Sequence, residues 1–354
     1  MLVFTGDINL TDWYFNAGFG IGTRIANGFD PFHGINRNAE DVWIGNFEGV
    51  ASNVTDNTGF AGKVFRVNPK ILEKLNHFDI YGLANNHAMQ HGKEAYQQTL
   101  DAICSYGSKC FGTKKQKSVI LKHQDKMVSL TGMCIRIEEF TNEPSYWYNP
   151  EYKEIEKEIN SLPENSFKVL YIHWGNEYIN RPSSTQKKFA HWLIDIGFDL
   201  IIGMHPHVLQ GFEEYNGKYI FYSLGNFIFE MAWEPTKIGA LVKFDLETLQ
   251  PSVEYIRIKK DCVPIIVEES NIPSEWRFEN LNKVLKEEDN SEQYHAEINR
   301  NYAAYRRANH MYIINNMIKH PVDVNSTSKC KFTESFRKST LVVFCNLIFS
   351  LVSC

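Results

Sequence analysis

The chain has 354 residues, 43% apolar, 22% charged and 14% aromatic, the make-up of an ordinary globular protein with a sizeable core. Its formal charge is −5 and its isoelectric point is near 6.2, so no basic excess exists to neutralise phosphates and no nucleic-acid partner is expected. The seven cysteines are scattered without CxxC spacing, which argues for reduced thiols and against a disulfide framework or a thiolate zinc site.

Along the first two-thirds of the chain, short apolar runs alternate with amphipathic stretches, as in layered β-α folds. "MLVFTGD" reads as a strand ending at Asp7, with no secretory signal ahead of it; a cytoplasmic protein is expected. "DVWIGNFEG" reads as a second strand ending near Glu48, and "NPKILEKLNHF" as a helix with Pro69 near its start. "DIYGLANNH" is a third strand, ending at Asn86 and His87. "KEAYQQTLDAICSYG" is a helix with Tyr96, Leu100 and Ile103 on one face and Gly107 as its stop. Two β-rich runs, "SVILKHQ" and "DKMVSLTGM", follow the solvated loop "KKQK".

After the charged helix "EYKEIEKEIN" comes "FKVLYIHWG", a strand ending at His173. "STQKKFAHWLIDIGF" is an amphipathic helix with Phe189, Trp192, Leu193 and Ile196 in register. "DLIIGMHPH" is the next strand, ending in His205-Pro-His207. Asn216-Gly217 between β-rich flanks predicts a hairpin, and "GALVKFDL" and "SVEYIRIKK" are two further strands. This first domain spans residues 1–260; residues 261–354 read as an appended, mostly helical extension. Its last stretch, "LVVFCNLIFSLVSC", is apolar but shorter than the ~20 residues of a spanning helix, so it is a packed tail or a peripheral membrane contact.

Position makes the polar residues informative. Asp7, Glu48, Asn86, His87, His173, His205 and His207 all fall at the ends of expected strands, where layered α/β folds place their ligand crevice. Singly, each has a plainer explanation: Asp7 a turn cap, Glu48 a surface acid, Asn86 turn chemistry, His173 a core imidazole. Together they form an oxygen and nitrogen donor set that suits Mn, Fe, Zn or Mg. Such sets can hold two ions roughly 3.5–4 Å apart that clamp a phosphoryl group.

The motifs "GDINL", "NFEG", "LANNHAMQHG", "HWGNEY" and "GMHPHVLQGFEEYNGKYIFYSLGNFIF" resemble, in order and spacing, the bacterial capsule-synthesis CapA family, associated with poly-γ-glutamate capsules. That family is similar to the calcineurin-like metallophosphoesterases. The resemblance covers about residues 1–245 and implies a four-layered α/β/β/α sandwich with one or two divalent metal ions. It implies Asp7 on the first metal, Glu48 as bridging carboxylate, Asn86, His173 and His205 on the second metal, and His207 turned back to the first. It implies His87 as the general acid that protonates the leaving oxygen. Asn226 would shape the rim. Where phosphoesterases carry Asp-x-His, this chain has Asp7-Ile8-Asn9, and Glu48 is one methylene longer than the usual bridging Asp. Where the family often has an acid three positions after the histidine of "NNH", this chain has Gln90, leaving Glu177 as a candidate orienting carboxylate.

Two functions follow from the resemblance. One is a metal-dependent hydrolase acting on a phosphoester or an anionic polymer through metal-activated water. The other is a non-catalytic accessory module that grips an acidic polymer through a metal during capsule synthesis or export, alongside the capsule-synthesis machinery.

Overall fold

The structure is a computed structural model that describes residues 1–12, 20–59, 61–259, 262–287 and 291–319, without the side chains of 316–319. In chain order the strands are β1 (Leu2–Ile8), β2 (Val42–Phe47), β3 (Val50–Ala51), β4 (Arg66–Val67), β5 (Ile80–Gly82), β6 (Lys109–Phe111), β7 (Ser118–His123) and β8 (Lys126–Cys134). They continue as β9 (Phe167–His173), β10 (Leu200–Met204), β11 (Phe212–Tyr215), β12 (Lys218–Phe221), β13 (Asn226–Ile228), β14 (Ile238–Asp245), β15 (Gln250–Ile258) and β16 (Pro264–Val267). The helices are α1 (Ile21–Ala26), α2 (Gly92–Ser105), α3 (Tyr152–Ser161), α4 (Ser184–Asp195), α5 (Phe278–Leu285) and α6 (Ser291–Lys319).

Two main sheets carry the fold. The first runs β16-β15-β14-β1-β2-β5-β6, with β13 pairing the end of β1; the second runs β11-β12-β10-β9-β8-β7. Around the site the strands are parallel: β1 with β2 and β13, β2 with β5, and β8 with β9 and β9 with β10. Parallel strands buried on both faces read as continuous apolar runs, and these do.

Side-chain alternation shows how the layers stack. Leu2 and Phe4 of β1, Ile44 and Ile80 pack against Val169, Tyr171, Leu200 and Ile202 of the second sheet. Val3, Trp43 and Tyr81 point the other way, onto Ile21, Leu72, Tyr96 and Ile103 of the α1 and α2 layer. Leu170, Ile172 and Ile201 face Ile155 and Ile159 of α3 and Leu193 of α4. The order is therefore helix, sheet, sheet, helix, the four-layered α/β/β/α sandwich that the motifs imply.

Three local expectations differ from the observed elements. "NPKILEKLNHF" forms a short 3₁₀ segment, Pro69–Leu75, capped by the Asn68 side chain on the Lys70 amide; so short a connector does not propagate an α-helix. The third strand stops at Gly82, because Leu83 turns to donate to the Phe111 carbonyl and Asn85 to the Leu83 carbonyl. Asn86 and His87 consequently stand on a loop beyond the strand end. The stretch after residue 260 contains β16, which extends the first sheet antiparallel to β15, before α5 and α6. Asn216 and Gly217 both have positive φ, 53° and 73°, and make the expected hairpin between β11 and β12.

Residues Met1–Ile314 form one compact unit. Among the described residues no helix is long and apolar enough to cross a membrane. The tail Leu341–Cys354 lies outside the described residues. Of the cysteines within them, Cys104, Cys110 and Cys134 are free thiols.

Candidate metal centre

Both sheets deliver polar residues to one spot. Asp7 sits near the end of β1, where Gly6 lets the backbone close on β13. A Cβ at Gly6 would lie 1.9 Å from the Gly225 carbonyl oxygen, so only glycine permits the Asp7 amide to reach that carbonyl at 3.0 Å. Glu48 follows β2, and its amide is tied to the Ile8 carbonyl at 2.8 Å. His173 ends β9 and His205 follows β10 directly. His205 and His207 both hold positive φ, +98° and +57°, a region non-glycine residues seldom occupy. The His205 amide donates to Asp7 Oδ2 at 3.1 Å, which helps pin that backbone. The proline between the histidines fixes the bend.

The cluster centres on the Glu48 carboxylate, which is fully buried. Oε1 lies 3.7 Å from His207 Nε2, 3.8 Å from His87 Nε2 and 4.0 Å from His173 Nε2. Asp7 is also fully buried, with Oδ2 3.6 Å from His207 Nδ1 and Oδ1 4.0 Å from His173 Nδ1. Neither Glu48 oxygen has a hydrogen-bond partner, and neither does His205 Nε2. A buried carboxylate with no donor is costly unless it coordinates a cation. Two donor groups fall within one ion's reach, Glu48 with His205 and His207, and Asp7 with Glu48 and His173; Glu48 is common to both. The resemblance implies His173 and His205 on one metal, and their ring nitrogens lie 3.0 Å apart. The donor set is oxygen and imidazole nitrogen, which fits a divalent cation of the Mn, Fe, Zn or Mg kind.

Charge bookkeeping points the same way. Burial raises the Asp7 pKa to about 7, opposed by the Asn46 hydrogen bond. Burial and the nearby Asp7 push Glu48 well above its ordinary range. Burial lowers His173 and His205 well below theirs, and His207 to about 3. The imidazoles are thus neutral, the form that ligates metals. Two acids crowded together without a cation are the groups most strained by ionisation.

A surrounding shell orients these groups. Asn226 Oδ1 accepts from His207 Nδ1 at 2.9 Å and its Nδ2 donates to the Thr236 carbonyl at 3.0 Å. Asn46 Nδ2 donates to Asp7 Oδ1 at 2.7 Å, and Asn85 donates to the Asn46 side chain at 3.2 Å and the Phe47 carbonyl at 2.8 Å. Asn86 Oδ1 lies 2.7 Å from His173 Nε2, which is itself 3.0 Å from His205 Nδ1. Asn9 stands apart. Its Nδ2 donates to the Glu48 carbonyl at 2.6 Å and its Oδ1 accepts from the Thr11 amide at 2.9 Å, so it braces backbone and turns no free atom to the cluster.

His87 stacks flat on Phe65, with centroids 4.0 Å apart. Its Nδ1 lies 2.9 Å from Gln90 Oε1, and its Nε2 faces Glu48. Burial lowers its pKa to about 4, and Gln90 brings no charge to raise it further. Glu177 is half-buried, with burial raising its pKa. It lines, with His87 and His207, a cleft of about 200 Å³ above the cluster.

Asn46 and Asn85 were not singled out by sequence reasoning. Asn46 carried a signal: it is a buried amide in the apolar strand "VWIGNF", two residues before Glu48. Tyr178, Tyr302 and Tyr305 carried none, and they form the outer wall of the cleft. Tyr305 stacks on Tyr178 with centroids 4.0 Å apart, and α6 is tied down alongside by Asn301 Nδ2 to the Tyr178 carbonyl at 2.8 Å and Arg181 to Glu297 at 2.7 Å.

The α/β/β/α sandwich with carboxylates, amides and imidazoles gathered at the strand ends of both sheets is a metallophosphoesterase-like fold. A family model, bacterial capsule synthesis protein PGA_cap, matches residues 1–231. The chain belongs to that family. It is 33% identical over 189 residues to the PGA biosynthesis protein CapA of Bacillus subtilis, covering 50% of this chain and 49% of that protein. It is 32% identical over 207 residues to the capsule biosynthesis protein CapA of Bacillus anthracis, covering 55% and 49%. The chain thus spans about half the length of the curated relatives it matches. Among solved structures it is similar to a phosphatase of Mycoplasma pneumoniae, with a TM-score of 0.45 and 14% identity over 73% of this chain and 92% of that one.

Proposed function

We propose that the protein is a metal-dependent hydrolase of capsule or polyglutamate biosynthesis, acting on a phosphoester or an anionic polymer. The observation that carries the reading is the buried Glu48 carboxylate, without a hydrogen bond and ringed by His87, His173 and His207 at 3.7–4.0 Å. Asp7, Glu48, Asn86, His173, His205 and His207 would hold one or two divalent ions. A cation there would polarise a phosphoryl or carbonyl oxygen and acidify a water molecule. The chain's own groups do the rest. Asn226 and Asn46 keep His207 and Asp7 in one orientation.

His87 is the general acid in this reading. With Nδ1–H donated to Gln90, Nε2 is the atom that carries the transferable proton to the leaving oxygen. Burial keeps the imidazole neutral near pH 7. The negative charge of a bound substrate raises its proton affinity and so loads the acid only when substrate is present.

The test is metal content by elemental analysis, then turnover of an aryl phosphate by the manganese-loaded protein. His87→Ala is expected to lose turnover while keeping its metal; undiminished turnover removes the acid assignment, and a metal-free wild type removes the reading. A second reading, an accessory module gripping an acidic polymer through the cation, is favoured by two features. Asn9 braces backbone instead of facing the cluster, and Gln90 gives His87 no charged partner. Binding of polyglutamate that survives a chelator counts against it.

A further inference from the structure

We propose that α6 supplies the specificity wall of the substrate cleft, through Tyr302 and Tyr305, and that this wall takes a ring, sugar or aryl, attached to the reacting ester. The proposal rests on the hydrolase reading above for the reacting ester, but the wall can be tested without turnover.

The lining decides the ligand class. Phe65, His87, Tyr178, His207, Tyr302 and Tyr305 present rings to the cleft, and among the described residues its lining holds an acid, Glu177, and no lysine or arginine. A polyanionic segment would meet the Glu177 carboxyl on the lining, while Arg306 stands at Tyr302 outside it. At about 200 Å³ the space is smaller than the ~300–1,000 Å³ of sites for drug-sized ligands, so one ring and its ester fill it. Three tyrosines and two imidazoles offer π faces for stacking and polar edges for ring substituents.

Tyr302 is the open element of the wall. Phe65 is stacked with His87 and Tyr305 with Tyr178, each pair 4.0 Å apart. Tyr302 has no ring closer than 5.9 Å among the described residues, with Tyr178 at 5.9 Å and Tyr305 at 6.2 Å, both tilted. The Arg306 guanidinium lies 5.9 Å from its centroid, and the side chain is 45% exposed. A ring entering the cleft has Tyr302 as its free stacking partner. Both wall tyrosines also fall beyond residue 231, where the family match ends.

The experiment compares phenyl phosphate, glucose 1-phosphate and methyl phosphate with the manganese-loaded full chain, as wild type, Tyr302→Ala and Tyr302→Phe. The preference in kcat/KM for ring-bearing over methyl ester is expected to fall about tenfold in Tyr302→Ala, carried by KM, and to persist in Tyr302→Phe. The ring whose preference falls further is the one the wall was built for. A preference unchanged within twofold in Tyr302→Ala overturns the proposal. Calorimetric binding of phenylphosphonate, which has no ester to cleave, separates the two readings. Binding that weakens in Tyr302→Ala without turnover of any ester supports the wall and removes the hydrolase reading. Turnover with Tyr302-independent phosphonate binding, or no phosphonate binding at all, removes the wall. Tyr302 is exposed enough for the alanine variant to fold, and its far-ultraviolet circular dichroism checks this.

Discussion

The floor and the outer wall of the cleft are built on opposite principles. The floor is made of buried acids and imidazoles held by rigid strand ends, and its polar atoms are left over for a cation. The wall is one face of α6, held down by tethers and ring packing: Asn301 on Tyr178, Glu297 on Arg181, and Asn309 Oδ1 on the Ala232 amide at 2.7 Å, with the Tyr305 hydroxyl and Asn309 Nδ2 buried without partners. A region of crowded ionisable groups sits against one of packed rings and tethers. Changes in the floor should therefore move metal and chemistry, and changes in the wall should move stability.

The largest separation is expected from Glu48→Gln. It should lower metal affinity by about 100-fold or more, at least the upper end of what losing an outer-shell partner costs, and abolish turnover. The same change should make the metal-free protein more stable by about 1 kcal/mol, because folding no longer has to bind a proton to keep this buried acid neutral. Metal titration and thermal melting of the apo protein measure both; a destabilised apo variant would break the contrast. His87→Ala comes next, with kcat down by about 10²–10⁴ and metal content retained. On the wall, Tyr305→Ala should cost about 3 kcal/mol in denaturant unfolding with metal content unchanged, since Tyr305 is 3% exposed. Metal loss in that variant would mean the wall also shapes the floor. Asn309→Ala should cost about 1 kcal/mol, the loss of one buried acceptor.

The smallest effect sharpens the comparison through pH. Asp7 is raised to about 7 in the folded apo protein, so the fold holds a proton that the unfolded chain has lost above its ordinary value. Its contribution to stability is full below that ordinary value and is lost as pH rises to about 7. His87 and His207, lowered to about 4 and 3, work in the other direction: their contribution is present above the ordinary histidine value and is lost as pH falls toward 3. A cation needs the carboxylates deprotonated in any case. The Tm difference between loaded and apo protein should therefore widen as pH rises from 5 through 7 and level off above that; a flat difference would remove Asp7 from the ligand set.

The contrast also explains what the sequence made legible. Floor residues announce themselves, because Asp7, Glu48, His173 and His205 interrupt apolar runs in which every other side chain is buried on one face or the other. The alternating burial of Leu2, Val3 and Phe4 likewise tells of two covered faces and hence of four layers. The wall stays silent, because α6 packs through Tyr294, Glu297, Asn301, Tyr305 and Asn309, spaced three to four apart but not apolar. Hydrophobic periodicity has nothing to detect in such a helix. Asn9, the departure from Asp-x-His, shows a related rule: a short amide beside a tight turn satisfies backbone first.

Asp7 and Glu48 hang from the first sheet, His173 and His205 from the second. A cation bound between them would be a rivet through the seam of the sandwich. Stripping it with a chelator would free the two halves to slide, and amide hydrogen exchange should quicken along β1 and β10 together while the outer strand β16 keeps its own pace.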